Sequence, residues 1–202
     1  MQYHKIQSIF KRDEKGVFTN EYALPEFEYL KDNIWVFTEK IDGTNIRIIW
    51  ENGELSIRGK TDKAQIPASL QVKLEEIFTI DKMKKMFPES NVILYGEGFG
   101  AKIQGGGKYI SDGVDFILFD ILIGEWWLHR QALEDIAGDM NLKIVEIVGE
   151  GGLQEALTLA KEGFFSEFGD FCAEGIVLRP KVQLFSQRGD RIITKVKHKD
   201  FK

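Results

Sequence analysis

WVFTEKIDGTNIRIIWENGELSIR, residues 35–58, is the stretch whose reading decides the fold. Residues 35–40 form an extended, β-rich run that stops at the turn pair Asp42-Gly43. Two further runs, 45–50 and 54–58, flank Glu51-Asn52-Gly53. Asn-Gly between alternating apolar stretches is a strong hairpin signal, so these runs pair antiparallel. Lys40 ends the first strand just before the turn, where an amine can point into a cleft.

Outward from this stretch, Leu70, Leu74, Ile77 and Phe78 recur at helical spacing within residues 68–86, with a second short helix around Met83. Residues 92–99 and 114–123 read as strands. Between them, 100–113 is a glycine-rich loop holding Gly105-Gly106-Gly107. Helices are expected at 130–140 and 152–162 around a strand at 142–148, and the last two strands at 174–179 and 191–197. Strands in hairpin-like pairs with irregularly interspersed helices predict an α+β fold of mainly antiparallel sheets, not a doubly wound parallel sheet. The four prolines form no linker-like cluster and no repeat is present, so residues 1–202 read as a single domain.

The single Cys172 cannot form an internal disulfide, which favours a reducing compartment such as the cytoplasm. Three His and one Cys argue against a dedicated zinc site. The first sixteen residues lack the apolar run of a signal peptide, and stretches such as residues 116–119 are too short to span a bilayer, so no membrane association is expected. The net charge of −5 does not announce a nucleic-acid binder, but its distribution is uneven. Residues 179–202 carry Arg179, Lys181, Arg188, Arg191, Lys195, Lys197, Lys199 and Lys202 against Asp190 and Asp200, a net of +6, and the rest of the chain carries −11. The segment reads either as a solvated basic tail or as the lining of an anion site.

A lysine that acts as a nucleophile must present an unprotonated amine, which nearby cations or burial favour. It also needs partners for a triphosphate and a ribose. The chain supplies candidates in order. Arg58 follows Lys40 by eighteen residues; Glu97 lies in Tyr95-Gly96-Glu97-Gly98, and Phe119 precedes Asp120. Glu174 opens Glu174-Gly175-Ile176-Val177, and Lys195 and Lys197 stand two apart, hence on one strand face. Each alone has a plainer reading. Glu97 and Glu174 fit surface charges, Phe119 fits core packing, and the two lysines fit a solvated edge.

In order and spacing, these pieces resemble the covalent nucleotidyltransferase superfamily of ATP-dependent DNA ligases, RNA ligases and mRNA capping enzymes. The resemblance runs from about residue 35 to residue 197. The segment 95–121, with Gly100-Ala101-Lys102-Ile103-Gln104 before the glycine loop, looks most like the RNA ligase 2-like branch. Asp42 departs from that branch, which often has His there. The resemblance implies an ATP-grasp-like nucleotidyltransferase fold and an ATP-dependent RNA ligase that seals 5′-phosphate and 3′-hydroxyl ends through lysyl-AMP. In that reading Lys40 attacks the α-phosphorus. Lys195 and Lys197 hold the α-phosphate, and Glu174 organises hydrated Mg²⁺ or Mn²⁺. Arg58 binds a ribose hydroxyl or phosphate, Glu97 accepts from a ribose hydroxyl or holds metal through water, and Phe119 stacks on adenine with Phe116 as the competing stacker. Glu39 joins the nucleotide-binding set, and Asn45 serves a second metal's water shell.

The glycine loop is no Walker A loop, since no Gly-Lys-Ser/Thr follows. It reads as a phosphate cradle or as a lid, with Lys102 and Gln104 toward RNA. The expected partners are nicked or broken RNA ends, as in RNA repair. The chain ends five residues after Lys197. Ligases of the superfamily commonly continue into an OB-fold or helical domain. The expectation is therefore a minimal ligase without such a domain, or a partner protein that supplies it, acting in the cytoplasm (the host's, for a viral chain). A DNA ligase, for which Asp42 speaks, and a non-catalytic nucleotide-binding module are the alternatives.

Overall fold

At the tip of the hairpin, Asn52 and Gly53 both take positive φ, 53° and 80°. This is the geometry of a type I′ turn, whose twist matches that of its strands. The arms Thr44–Glu51 and Glu54–Gly59 pair antiparallel from Glu51 opposite Glu54 to Ile46 opposite Gly59. The computed structural model of the protein describes residues 1–201, so Lys202 of the basic segment lies outside the described residues. Contacts divide the chain into two compact units, each discontinuous in sequence. One comprises Met1–Tyr3 and Asp42–Val145, the other His4–Ile41 and Glu146–Lys202.

The first unit is built on a sheet in the order Glu54–Gly59, Thr44–Glu51, Val92–Gly100, Val114–Ile123, Lys143–Ile144, with Trp126–Trp127 also pairing to Val114–Ile123. All pairings are antiparallel except that of Lys143–Ile144. Strand alternation sends Ile46, Ile48, Trp50, Val92, Leu94, Phe116, Leu118 and Ile121 into one core. Helices Ala68–Ile77, Ile80–Met86 and Arg130–Met140 cover that face with Leu70, Leu74, Met83, Leu133 and Ala137. Each Val, Leu, Ile, Phe or Met side chain among them contributes about 1.5–3 kcal/mol on burial. A one-residue slip would expose a whole row, so the register is firmly specified. Thr79 separates the first two helices by capping the second, its hydroxyl accepting from Lys82 N–H at 3.3 Å.

The second unit has a five-stranded sheet in the order Gln7–Ser8, Thr194–Lys197, Gly175–Pro180, Trp35–Glu39, Ile147–Gly151. Gln7–Ser8 runs parallel to its neighbour and the other pairings are antiparallel. Trp35, Phe37, Ile176, Leu178 and Val196 face a core completed by Leu153, Ala156, Leu157 and Ala160 of helix Leu153–Glu162. Two small hairpins complete the unit: Phe10–Arg12 with Phe18–Tyr22, and Phe165–Ser166 with Gly169–Cys172.

The α+β class and the antiparallel bias are as the sequence predicts. Three expectations change. The strand at 142–148 is two strands, Lys143–Ile144 in one sheet and Ile147–Gly151 in the other. The chain leaves the first where Val145 N–H reaches the Leu118 carbonyl at 3.0 Å. The last strand is shorter than 191–197 and starts at Thr194, while Arg191 makes only an isolated bridge to Phe185. The glycine loop is not open chain throughout. It contains a 3₁₀ turn, Gly106–Lys108, and the buried Tyr109 behind it accepts the Asp42 N–H at 3.1 Å.

Candidate active site

In the first unit, alternation places the candidates on the sheet face away from the helices. Ile46 and Ile48 point into the core, so Asn45 and Arg47 point the other way. Asn45 stands directly opposite Glu97, and Arg47 opposite Arg58. A register shift after Tyr95, opposite Asp120 and Leu118, makes Phe119 the extra residue of a bulge. Phe119 and Asp120 both meet Tyr3. The Tyr3 ring lies edge-on to Phe119 at 5.2 Å, and its hydroxyl donates to Asp120 at 2.7 Å. Phe116 is on the opposite face, buried with its ring perpendicular to Phe78 at 5.3 Å. The two phenylalanines thus part as alternation predicts.

Arg58 is exposed and Glu97 half-buried. Arg47, which the sequence reading passed over, is the buried arginine of this face. Its guanidinium donates to the carbonyls of Gly59 (2.8 Å) and Met1 (3.4 Å) and pairs with Asp62 at 2.7 Å. It ties the strand edge to the chain start and is engaged structurally. The Oδ1 of Asn45 is buried without a hydrogen-bond partner, a cost that a bound polar group would relieve. The glycine of Lys40-x-Asp-Gly43 has a steric reason: a Cβ on Gly43 would sit 2.3 Å from the Gly98 carbonyl oxygen.

In the second unit, Trp35, Phe37 and Glu39 alternate inward, so Lys40 is on the other side of its strand. The same alternation puts Lys195 and Lys197 on one half-buried face, with Thr194 and Val196 buried on the other. Gly175 stands opposite Lys197, and its carbonyl accepts the Lys40 N–H at 2.9 Å. A Cβ on Gly175 would lie 2.2 Å from the Val196 carbonyl oxygen and 2.6 Å from Lys197 Cα, so only glycine lets these strands approach.

This close approach brings three sequence candidates together around one carboxylate. Glu174 Oε2 accepts from Lys40 Nζ at 2.7 Å, and Oε1 accepts from Lys197 Nζ at 2.5 Å. The Glu174 side chain is 11% exposed. Burial alone would raise its carboxyl, but the charge of Lys40 and the hydrogen bonds from Lys197 and Lys40 outweigh it and hold the group below the usual carboxylate range. Lys40 Nζ also donates to its neighbour's carbonyl, Ile41, at 3.4 Å.

Glu39 does something the sequence reading did not foresee. Its buried carboxylate accepts from the Ser166 hydroxyl at 2.6 Å and from the Glu167 N–H at 3.0 Å. Ser166 in turn accepts from Phe168 N–H at 3.1 Å. The side chain anchors the turn of the Phe165–Cys172 hairpin, whereas the family resemblance assigns it to the nucleotide.

Among the described residues no three His, Cys, Asp or Glu side chains converge as a metal cage. Hydrated Mg²⁺ needs no such cage, since one or two carboxylates with substrate phosphates suffice. A nearly buried Glu174 carboxylate held ionised fits that mode. No helix among the described residues is long and apolar enough to cross a membrane.

The RNA ligase family model matches residues 33–197 of the chain. No curated protein sequence matches it. Among solved structures, three forms of Naegleria gruberi RNA ligase superpose on nearly the whole chain. An alanine variant with ATP and Mn gives a TM-score of 0.68 at 21% identity, covering 97% of this chain and 63% of that one. The form with PPi gives 0.69 at 20%, covering 98% and 62%. Another alanine variant with ATP and Mn gives 0.71 at 20%, covering 99% and 59%. At such identity the likeness is one of fold, and the chain spans about three-fifths of the length of those ligase chains.

Proposed function

The chain belongs to the RNA ligase family, and on that premise we propose that it is an ATP-dependent RNA ligase working through a lysyl-AMP intermediate. The observation that carries the reading is the Glu174 carboxylate shared by Lys40 and Lys197. A lysine paired so closely is held in place for a single direction of attack, and a second cation stands beside it for the phosphate.

In the first step the Lys40 ammonium leaves the Glu174 carboxylate, gives up a proton to solvent water and attacks, as the neutral amine, the α-phosphorus of ATP. A P–N bond forms, the bond to the β-phosphate oxygen breaks, and pyrophosphate departs. Lys197 and Lys195 neutralise the charge that builds on the α-phosphate oxygens. AMP then passes to an RNA 5′-phosphate, and attack by a 3′-hydroxyl joins the ends and releases AMP. Glu174 is the residue that would hold Mg²⁺ or Mn²⁺, and the ion would supply charge neutralisation at the phosphate. Glu97 is assigned to metal through water, and Asn45 to a second metal's water shell. Phe119 is assigned to the adenine, Glu97 also to a ribose hydroxyl, and Arg58 to a ribose or a phosphate of the RNA end. The proposed partners are nicked or broken RNA ends, with a partner protein supplying additional grip, in the cytoplasm.

The test of substrate class is a panel of nicked duplexes with RNA or DNA on either side of the break, with and without a pre-adenylated 5′ end. Sealing that depends on ribose at the 3′ side supports the reading, since the 2′-hydroxyl is what separates RNA from DNA. Equal sealing of all-DNA nicks would reassign the chain to DNA.

A further inference from the structure

The strand that carries Lys197 outlasts its neighbour. Gln7–Ser8 pairs with Thr194 and Lys195, and Ile9 N–H still reaches the Lys195 carbonyl at 3.2 Å. On the other side Lys197 stands opposite Gly175, and the inter-strand bond there runs from His198 N–H to the Glu174 carbonyl at 3.0 Å. Antiparallel ladders alternate, so the Lys197 N–H points to the side that the first strand has vacated.

Its acceptor is a side chain from downstream. Asp200 Oδ2 takes the Lys197 N–H at 2.9 Å, and Asp200 Oδ1 accepts from Arg12 at 2.7 Å. The Asp200 side chain is 4% exposed, so its charge needs a partner, and Arg12 provides it. Arg12 is itself fixed. Its other terminal nitrogen donates to the Gly16 carbonyl at 2.8 Å, and its guanidinium lies over the Phe18 ring at 4.4 Å. Phe18 meets Phe201 edge-on at 5.9 Å. The hairpin of Phe10–Arg12 and Phe18–Tyr22 thereby braces the end of the lysine strand through one carboxylate.

We propose that Asp200 and Arg12 are positioning residues for Lys197. They fix the backbone from which its ammonium reaches Glu174, and through Glu174 they set the place of Lys40. The inference rests on the ligase reading of Lys197. Charge-assisted hydrogen bonds are the strong ones, and a group displaced by about 1 Å in an active site can cost on the order of a hundred-fold in rate.

The experiment is single-turnover formation of the Lys40 adduct at saturating ATP, in the wild type, Asp200→Ala, Asp200→Asn, Lys197→Ala and the double variant Asp200→Ala/Lys197→Ala. Asp200→Ala is expected to slow the step on the order of ten- to a hundred-fold while ATP affinity holds. Asp200→Asn, which keeps an acceptor for the Lys197 N–H, is expected to recover part of the rate. In the Lys197→Ala background, Asp200→Ala should add little, because both changes remove one function. A folded Asp200→Ala with the wild-type rate overturns the proposal, as does a loss of equal size in the Lys197→Ala background. Should the wild type form no adduct, the ligase reading fails. The brace is then read from hydrogen exchange at the Lys197 amide, where fast exchange in Asp200→Ala upholds it and unchanged protection overturns it.

Discussion

Truncating Phe116 and Phe119 in turn separates the two faces of one strand. Phe116 is 2% exposed, edge-on to Phe78, and its ring presses on the Gly96 backbone, where an added Cβ would lie 2.2 Å from Phe116 Cζ. Phe116→Ala leaves a hole that neither Phe78 nor Gly96 can fill, and such changes cost about 3–5 kcal/mol. At about 2–4 °C per kcal/mol for a chain of this size, the melting temperature falls by roughly 6–20 °C. Phe119 is half-buried, and its edge contact with Tyr3 contributes about 0.5–1.5 kcal/mol, or roughly 1–6 °C. Its larger effect falls on the nucleotide. Stacking on a base contributes about 1–3 kcal/mol, so ATP should bind roughly 5- to 140-fold more weakly to Phe119→Ala. Thermal melts and calorimetric titration with ATP, run on both variants, read the two effects separately. Lost ATP binding in Phe116→Ala with wild-type binding in Phe119→Ala would refute the assignment of faces.

Glu174→Gln tests the shared carboxylate through pH. The native carboxyl is held below its ordinary value of 4.5. Its contribution to stability is therefore present above that value and is lost as pH falls through the lower native value. The gap between wild type and Glu174→Gln in urea midpoints should be full at neutral pH and shrink as pH falls below the ordinary carboxyl value; a gap independent of pH would contradict the ion pairing. Gly175→Ala forces the two strands apart and is expected to cost about 1–3 kcal/mol and to slow adduct formation together, so unchanged melts and rates would show that the approach is not needed. Lys195→Ala and Lys197→Ala should each slow adduct formation with modest change in melting temperature. Wild-type rates in both would return them to a solvated strand face.

The parts of the fold legible in the sequence are those with a sustained period. The Asn52-Gly53 hairpin carries alternation over five or more residues, the strand Val114–Ile123 is a long β-rich apolar run, and the helix Arg130–Met140 shows its apolar face at Leu133 and Ala137. The break after Ile144 leaves no mark in the sequence because β-branched apolar residues run on through Val145, Ile147 and Val148 while the chain changes sheets. The N-terminal hairpin, with strands three and five residues long, is held by the aromatic cluster of Phe10, Phe18 and Tyr22, which local periodicity does not reveal. At the site, the shared face of Lys195 and Lys197 follows from their spacing of two. The inward turn of Glu39 was readable too, since Trp35 and Phe37 precede it on the same parity. The meeting of Lys40 with Glu174, 134 residues apart, and of Arg12 with Asp200, 188 apart, comes from strand pairing and tertiary packing, for which local pattern carries no signal.

The central claim is that Lys40 takes up AMP, and the direct measurement is incubation of the protein with α-labelled ATP and Mg²⁺, followed by denaturation and peptide mapping. The account predicts a label that is acid-labile and base-stable, maps to Lys40, appears without any polynucleotide, and is absent from Lys40→Ala and from Lys40→Arg, whose guanidinium stays protonated. A label retained by folded Lys40→Ala, or no label on the wild type, would contradict it.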